Sequence, residues 1–160
     1  MSNLDNYNKM VNLNNLSESK TTYKEIIDKQ GFYIATPVGT SMLPLIRERE
    51  DTVRLEKPKG RCKKYDVIMY QRKNGIYVLH RIVKVKSDSY VLCGDNQSVL
   101  EYNVTDDMII GIMTGFYRGD TYVSIDNPEY IKYYKKRVSL RKIRFIRDSF
   151  KRVIKKIIRK

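Results

Sequence analysis

Histidine occurs once in the 160 residues, at His80, and cysteine twice, at Cys62 and Cys93. Neither cysteine has a Cys or His neighbour at ligand spacing, so a zinc site is not expected, and no cofactor is implied. Two thiols allow at most one internal disulfide and no disulfide framework, and the default is two reduced thiols in a reducing compartment. No stretch approaches the ~20 apolar residues of a transmembrane helix. The start, Met1–Lys9, is polar and Asn-rich and lacks the apolar core of an export signal. The expected location is therefore the cytoplasm or the inner face of the membrane. Acidic residues almost vanish from the end: residues 131–160 hold 14 Lys/Arg against Asp148 alone, while the rest holds 18 basic and 17 acidic residues. The net charge of +14 is thus local. A basic nucleic-acid-binding domain would distribute its charge differently; this chain has a neutral body and a cationic tail.

The length and the 41% hydrophobic content suit one domain with a proper core. Residues 1–20 read as a loosely ordered arm. Thr21–Gly31 predicts a short helix with threonine at its cap and glycine at its stop. Apolar runs predict strands over 32–38, 52–56, 66–72, 75–85, 89–93, 108–117 and 121–125. Turns are expected at Asn74-Gly75, Ser87-Asp88 and Arg118-Gly119-Asp120, with a basic loop over 57–64. The expected fold is mainly β: a compact antiparallel domain over 32–127, preceded by an arm and short helix over 1–31. A basic amphipathic helix over 128–160 follows. No repeat occurs, and nothing specifies an oligomeric state.

The tail is periodic. Ile143, Ile146, Phe150, Val153, Ile154, Ile157 and Ile158 recur at three- and four-residue steps and form one stripe. Arg144, Arg147, Lys151, Arg152, Lys155, Lys156 and Arg159 take the flanks and opposite face. This pattern suits a helix lying on an anionic membrane surface through residues 138–160. A helix packed on the domain is the second reading, and nucleic acid the third and least favoured.

Four segments of the body carry a more specific signal. In order they are Gly39-Thr40-Ser41-Met42-Leu43-Pro44, Tyr65-Asp66-Val67-Ile68-Met69-Tyr70, Val78-Leu79-His80-Arg81-Ile82-Val83 and Gly94-Asp95-Asn96. Together they resemble the catalytic core of the signal peptidase I and LexA-type serine peptidases, over roughly residues 32–118. His80-Arg81 is similar to the His-Arg of endoplasmic-reticulum and archaeal signal peptidases, where bacterial enzymes carry Lys-Arg. The resemblance implies a serine endopeptidase acting on a precursor or leader peptide, with small side chains preferred at the cut. It further implies an extended substrate beside residues 33–39 and 80–85, added as a strand.

The chemistry fits these residue types. A serine hydroxyl needs an adjacent base, which makes Ser41 the nucleophile candidate and His80 the base. Arg81 stays protonated and cannot substitute. A histidine base needs an orienting acid. Asp95, in the Gly-Asp-Asn match, and Glu101, six residues on, are the candidates, with Glu101 favoured and Asp95 a structural or secondary partner. Gly39, Thr40 and Met42 flank the nucleophile as substrate- and oxyanion-side candidates. Gly39 stands where signal peptidases often place a serine whose hydroxyl binds the oxyanion, so the second donor is not evident. Activity is expected to rise through a histidine pKa near ~6.5. The alternative is a non-catalytic or self-cleaving regulatory or peptide-binding protein. Only about 31 residues precede the core and no Ala-Gly pair occurs, which disfavours a self-cleaving repressor.

Overall fold

Thr22 opens the first helix: its hydroxyl accepts from Glu25 N while Glu25 reaches back to the Thr22 amide, a reciprocal cap. The helix, α1 (Tyr23–Gln30), ends at Gly31, whose φ of 82° suits a residue without Cβ. This computed structural model describes residues 22–158. The expected arm over 1–20 lies outside the described residues, as do the side chains of Val153, Ile157 and Ile158.

Eight strands follow: β1 (Phe32–Ala35), β2 (Asp51–Glu56), β3 (Val67–Gln71), β4 (Tyr77–Val85), β5 (Tyr90–Cys93), β6 (Glu101–Val104), β7 (Ile109–Arg118) and β8 (Thr121–Ser124). They form one antiparallel sheet in the order β1-β2-β7-β3-β4-β5-β6, with β8 hairpinned onto β7. The architecture is mainly β, as the composition of the apolar runs predicts. Strand alternation splits the core in two. Val67 and Met69 of β3 join Met42, Ile46, Val53, Leu55, Met113 and Phe116 in one cluster. Ile68 and Tyr70 join Ile82, Tyr90, Leu92 and Val104 in the other. Both cysteines are buried and unpaired.

The end differs from the single helix expected over 128–160. Two helices occur, α2 (Pro128–Ser139) and α3 (Arg141–Ile158), parted at Leu140. Asn127 caps α2 by accepting from the Glu129 and Tyr130 amides. Tyr130 is buried in the first cluster, with Tyr133 and Tyr134 packed against it. α2 therefore belongs to the body. In α3 the described stripe residues Ile143, Ile146, Phe150 and Ile154 are exposed, between 52% and 65%. These four side chains are not packed on the domain. Among the described residues no helix is long and apolar enough to cross a membrane.

Candidate active site

Ser41 lies in the excursion between β1 and β2. Met42, Leu45 and Ile46 are buried in the core and peg this turn down, leaving Ser41 half-buried at the surface. Asp51, fully buried, closes the excursion. It accepts from Arg47 N and Arg47 Nε at 2.9 and 3.0 Å, and from Arg118 Nη2 at 2.9 Å. Arg118 also donates to the Leu45 carbonyl at 2.7 Å. Among the described residues, the backbone N–H groups of Gly39, Thr40, Ser41 and Met42 have no hydrogen-bond acceptor. Free amides in a turn beside a hydroxyl can receive a developing oxyanion. Gly39 has φ +101°, a conformation that strains any L side chain. That backbone accounts for glycine at a position where the resembling peptidases often carry serine. The Met42 side chain belongs to the core, and the Thr40 carbonyl accepts from Asn96 Nδ2 at 3.2 Å.

His80 sits in β4 opposite Ile68 and is 4% exposed. Its Nδ1 lies 3.4 Å from the Tyr70 hydroxyl and 3.8 Å from Glu101 Oε2. Glu101, the first residue of β6, is clamped by Arg72, with Nε to Oε1 at 2.8 Å and Nη2 to Oε2 at 2.6 Å. Those bonds hold the Glu101 carboxyl below its ordinary value, outweighing its partial burial. Burial pushes the His80 imidazole down from 6.5 to about 4, against the pull of the Glu101 carboxylate. The value near ~6.5 expected for this base is therefore corrected downward by desolvation. Among the described buried side-chain nitrogens and oxygens, only Arg144 Nε lacks a partner. His80 Nε2 has no hydrogen-bond partner among the described residues and is not one of the sealed, unsatisfied atoms, and His80 lines a groove.

Asp95 is placed differently. It is 3% exposed and takes a bidentate bond from Arg81, Nε to Oδ1 at 2.8 Å and Nη2 to Oδ2 at 2.7 Å. Tyr133 also donates to Oδ2 at 3.1 Å. Arg81, with no exposed surface, spends its remaining nitrogen on the Tyr65 carbonyl and the Tyr130 hydroxyl. The pair ties β4 to α2, and its carboxylate oxygens face Arg81 and Tyr133, not the imidazole.

Ser41 and His80 border one groove of about 1340 Å3, with β1, residues 36–39 and Tyr77–Leu79. Among the described residues β1 ends the sheet, and no strand pairs with its outer backbone groups. Tyr77–His80 pair only with β3, while from Arg81 onward β4 is taken by β5. Of the edge expected over 80–85, Arg81–Val85 is thus taken by β5, and among the described residues the part of β4 left without a partner on that side is residues 77–80. Among the described residues no hydrogen bond joins Ser41 to His80; catalytic bonds of this kind often tighten only with substrate present. The sequence marks neither Tyr70, which lies beside His80, nor Arg72, which holds Glu101, as a site residue. Tyr70 shares the alternating face of Ile68, which pairs with His80, whereas Arg72 meets a partner 29 residues away with no local signal.

No family model and no curated protein matches the chain.

Proposed function

We propose that the protein is a serine endopeptidase that cleaves an extended precursor or leader peptide by a Ser-His mechanism at a membrane surface. The observation that carries this reading is a buried histidine, with the Tyr70 hydroxyl 3.4 Å and Glu101 3.8 Å from its Nδ1, lining the same groove as Ser41. In this reading Ser41 Oγ attacks the scissile carbonyl carbon as His80 Nε2 takes its proton, and the turn amides receive the oxyanion. The Tyr70 hydroxyl, 3.4 Å from Nδ1, holds the Nδ1–H tautomer, and the Glu101 carboxylate, 3.8 Å away and fixed by Arg72, stabilises the imidazolium electrostatically. Collapse expels the amine, which takes the proton from His80. Water, deprotonated by His80, then attacks the ester and frees Ser41. The peptide backbone pairs with β1, with side chains alternating into and out of the groove.

The surface location is supported by α3, whose described stripe residues are exposed and which carries eight Lys/Arg against Asp148 alone, about half of the net charge. An inner-face, peripheral position of the enzyme follows from that reading. A peptide-binding protein without catalysis would keep the groove but have no use for the Arg72-Glu101 backing of a buried histidine. A serine-directed fluorophosphonate tests the assignment. Wild type should be labelled at Ser41 and Ser41→Ala should not. Labelling of Ser41→Ala at the wild-type rate overturns the nucleophile.

A further inference from the structure

The segment Gly94–Gln97, between β5 and β6, runs against the nucleophile turn. Asn96 N donates to the Ser41 carbonyl at 2.7 Å, and Asn96 Nδ2 to the Thr40 carbonyl at 3.2 Å. The approach is so close that a Cβ at Gly94 would lie 2.7 Å from the Ser41 oxygen and 3.1 Å from its Cβ. The opposite side of the Asp95–Asn96 peptide unit is held from the C-terminal helices. The Asp95 carbonyl accepts from Arg137 Nε of α2 at 2.7 Å and from Arg144 Nη1 of α3 at 2.8 Å. Arg144 Nη2 also donates to the Arg137 carbonyl at 2.9 Å, across the junction of the two helices.

One planar amide therefore has its oxygen on α2 and α3 and its N–H on the residue that bears the nucleophile. Rotation of that plane moves both ends together. Two guanidinium donors on the oxygen also polarise the amide and strengthen its N–H as a donor to Ser41. The arrangement is unfavourable on its own terms. Two like charges converge on one oxygen, Arg144 Nε is buried without a partner, and burial and the Arg137 charge push the Arg144 pKa down. A helix needing only a surface seat would not require it.

We propose that Arg137 and Arg144 are positioning residues for Ser41, acting through the Asp95–Asn96 peptide, so that the C-terminal helices are a working part of the site. The proposal rests on Ser41 being the nucleophile. The test uses the full chain as wild type, Arg144→Gln, Arg144→Lys and Lys135→Gln, the last removing an exposed α2 charge outside this network. Fluorophosphonate labelling of Ser41 is resolved into limiting rate and half-saturation, and hydrogen exchange of the Asn96 amide is followed in parallel.

In Arg144→Gln the limiting rate should fall about tenfold, with half-saturation unchanged and Asn96 exchange faster. Arg144→Lys should fall between it and wild type in both readouts, about threefold down in rate, and Lys135→Gln should match wild type. Wild-type rate and exchange in Arg144→Gln overturn the proposal, as does an equal loss in Lys135→Gln. If Arg144→Gln does not fold, Arg144→Lys decides, and wild-type behaviour in it overturns the proposal. If wild type is not labelled at Ser41, the peptidase reading fails, and the exchange arm alone decides the link: unchanged Asn96 protection overturns it, faster exchange in Arg144→Gln supports it.

Discussion

Burial of His80 makes the fold sensitive to acid in a defined window. The imidazole titrates near 6.5 when exposed and near 4 in the folded chain, because burial disfavours its charged form. Between those values the unfolded chain binds a proton that the folded chain refuses. Stability contributed by the neutral imidazole is therefore present in full above the unfolded value and is lost as pH falls from 6.5 toward 4. At about 1.4 kcal/mol per pH unit the whole window amounts to about 3.5 kcal/mol. Urea unfolding of wild type and His80→Gln at about pH 7.5 and about pH 4.5 measures it. Wild type should lose about 2.5 kcal/mol more than the variant between the two conditions. Comparing each protein with itself removes the cost of the substitution and the carboxylates common to both. Equal losses refute a desolvated imidazole. The same shift puts the acid limb of Ser41 labelling near pH 4, and a limb near the ordinary ~6.5 contradicts it just as directly.

The two acids should separate by assay. Glu101→Gln should keep the melting midpoint and lower Ser41 labelling about 100-fold or more, since it removes the group behind Nδ1. Asp95→Asn should instead lower stability by about 3–5 kcal/mol in urea unfolding, because Arg81 is left buried against a neutral partner. A folded, stable Asp95→Asn protein would contradict the pairing. For α3, Phe150→Glu should reduce binding to anionic vesicles in co-sedimentation without shifting the melting midpoint. Wild-type binding should weaken as salt rises and be much lower on neutral vesicles. A large drop in melting midpoint would refute an outward stripe.

Much of this arrangement is legible in the chain wherever the signal is local. α1 is marked by Thr22, Glu25 and Gly31, and the long strands by runs of Val, Ile and Tyr. β6 is not, because Glu101-Tyr102-Asn103-Val104 has little apolar alternation and becomes a strand only by pairing with β5. The parting of α2 from α3 carries no Gly or Pro, and Tyr130, Tyr133, Tyr134, Arg137 and Arg144 lie at helical spacing on the side that meets the body. That side begins aromatic and ends basic, so a search for apolar periodicity selects the outward stripe instead. For the site, motif order points to Ser41, His80 and Asp95, and only the family resemblance adds Glu101 as an expectation. The grip of Arg72 on Glu101 and of Arg144 on the Asp95 carbonyl links residues 29 and 49 apart, and only folding brings them together.

The unpaired outer edge of β1 has a consequence for timing. A partner strand on that edge must offer its own N–H and C=O groups, which a helix or an interior strand of a sheet has already spent. Under the proposed function, a peptide filling the groove beside Tyr77–His80 is therefore one whose backbone is still free there when it arrives. Cleavage at such a place would compete with that chain's own folding. A precursor that delays its folding around the cut leaves more time for processing, and one that folds first closes the opportunity.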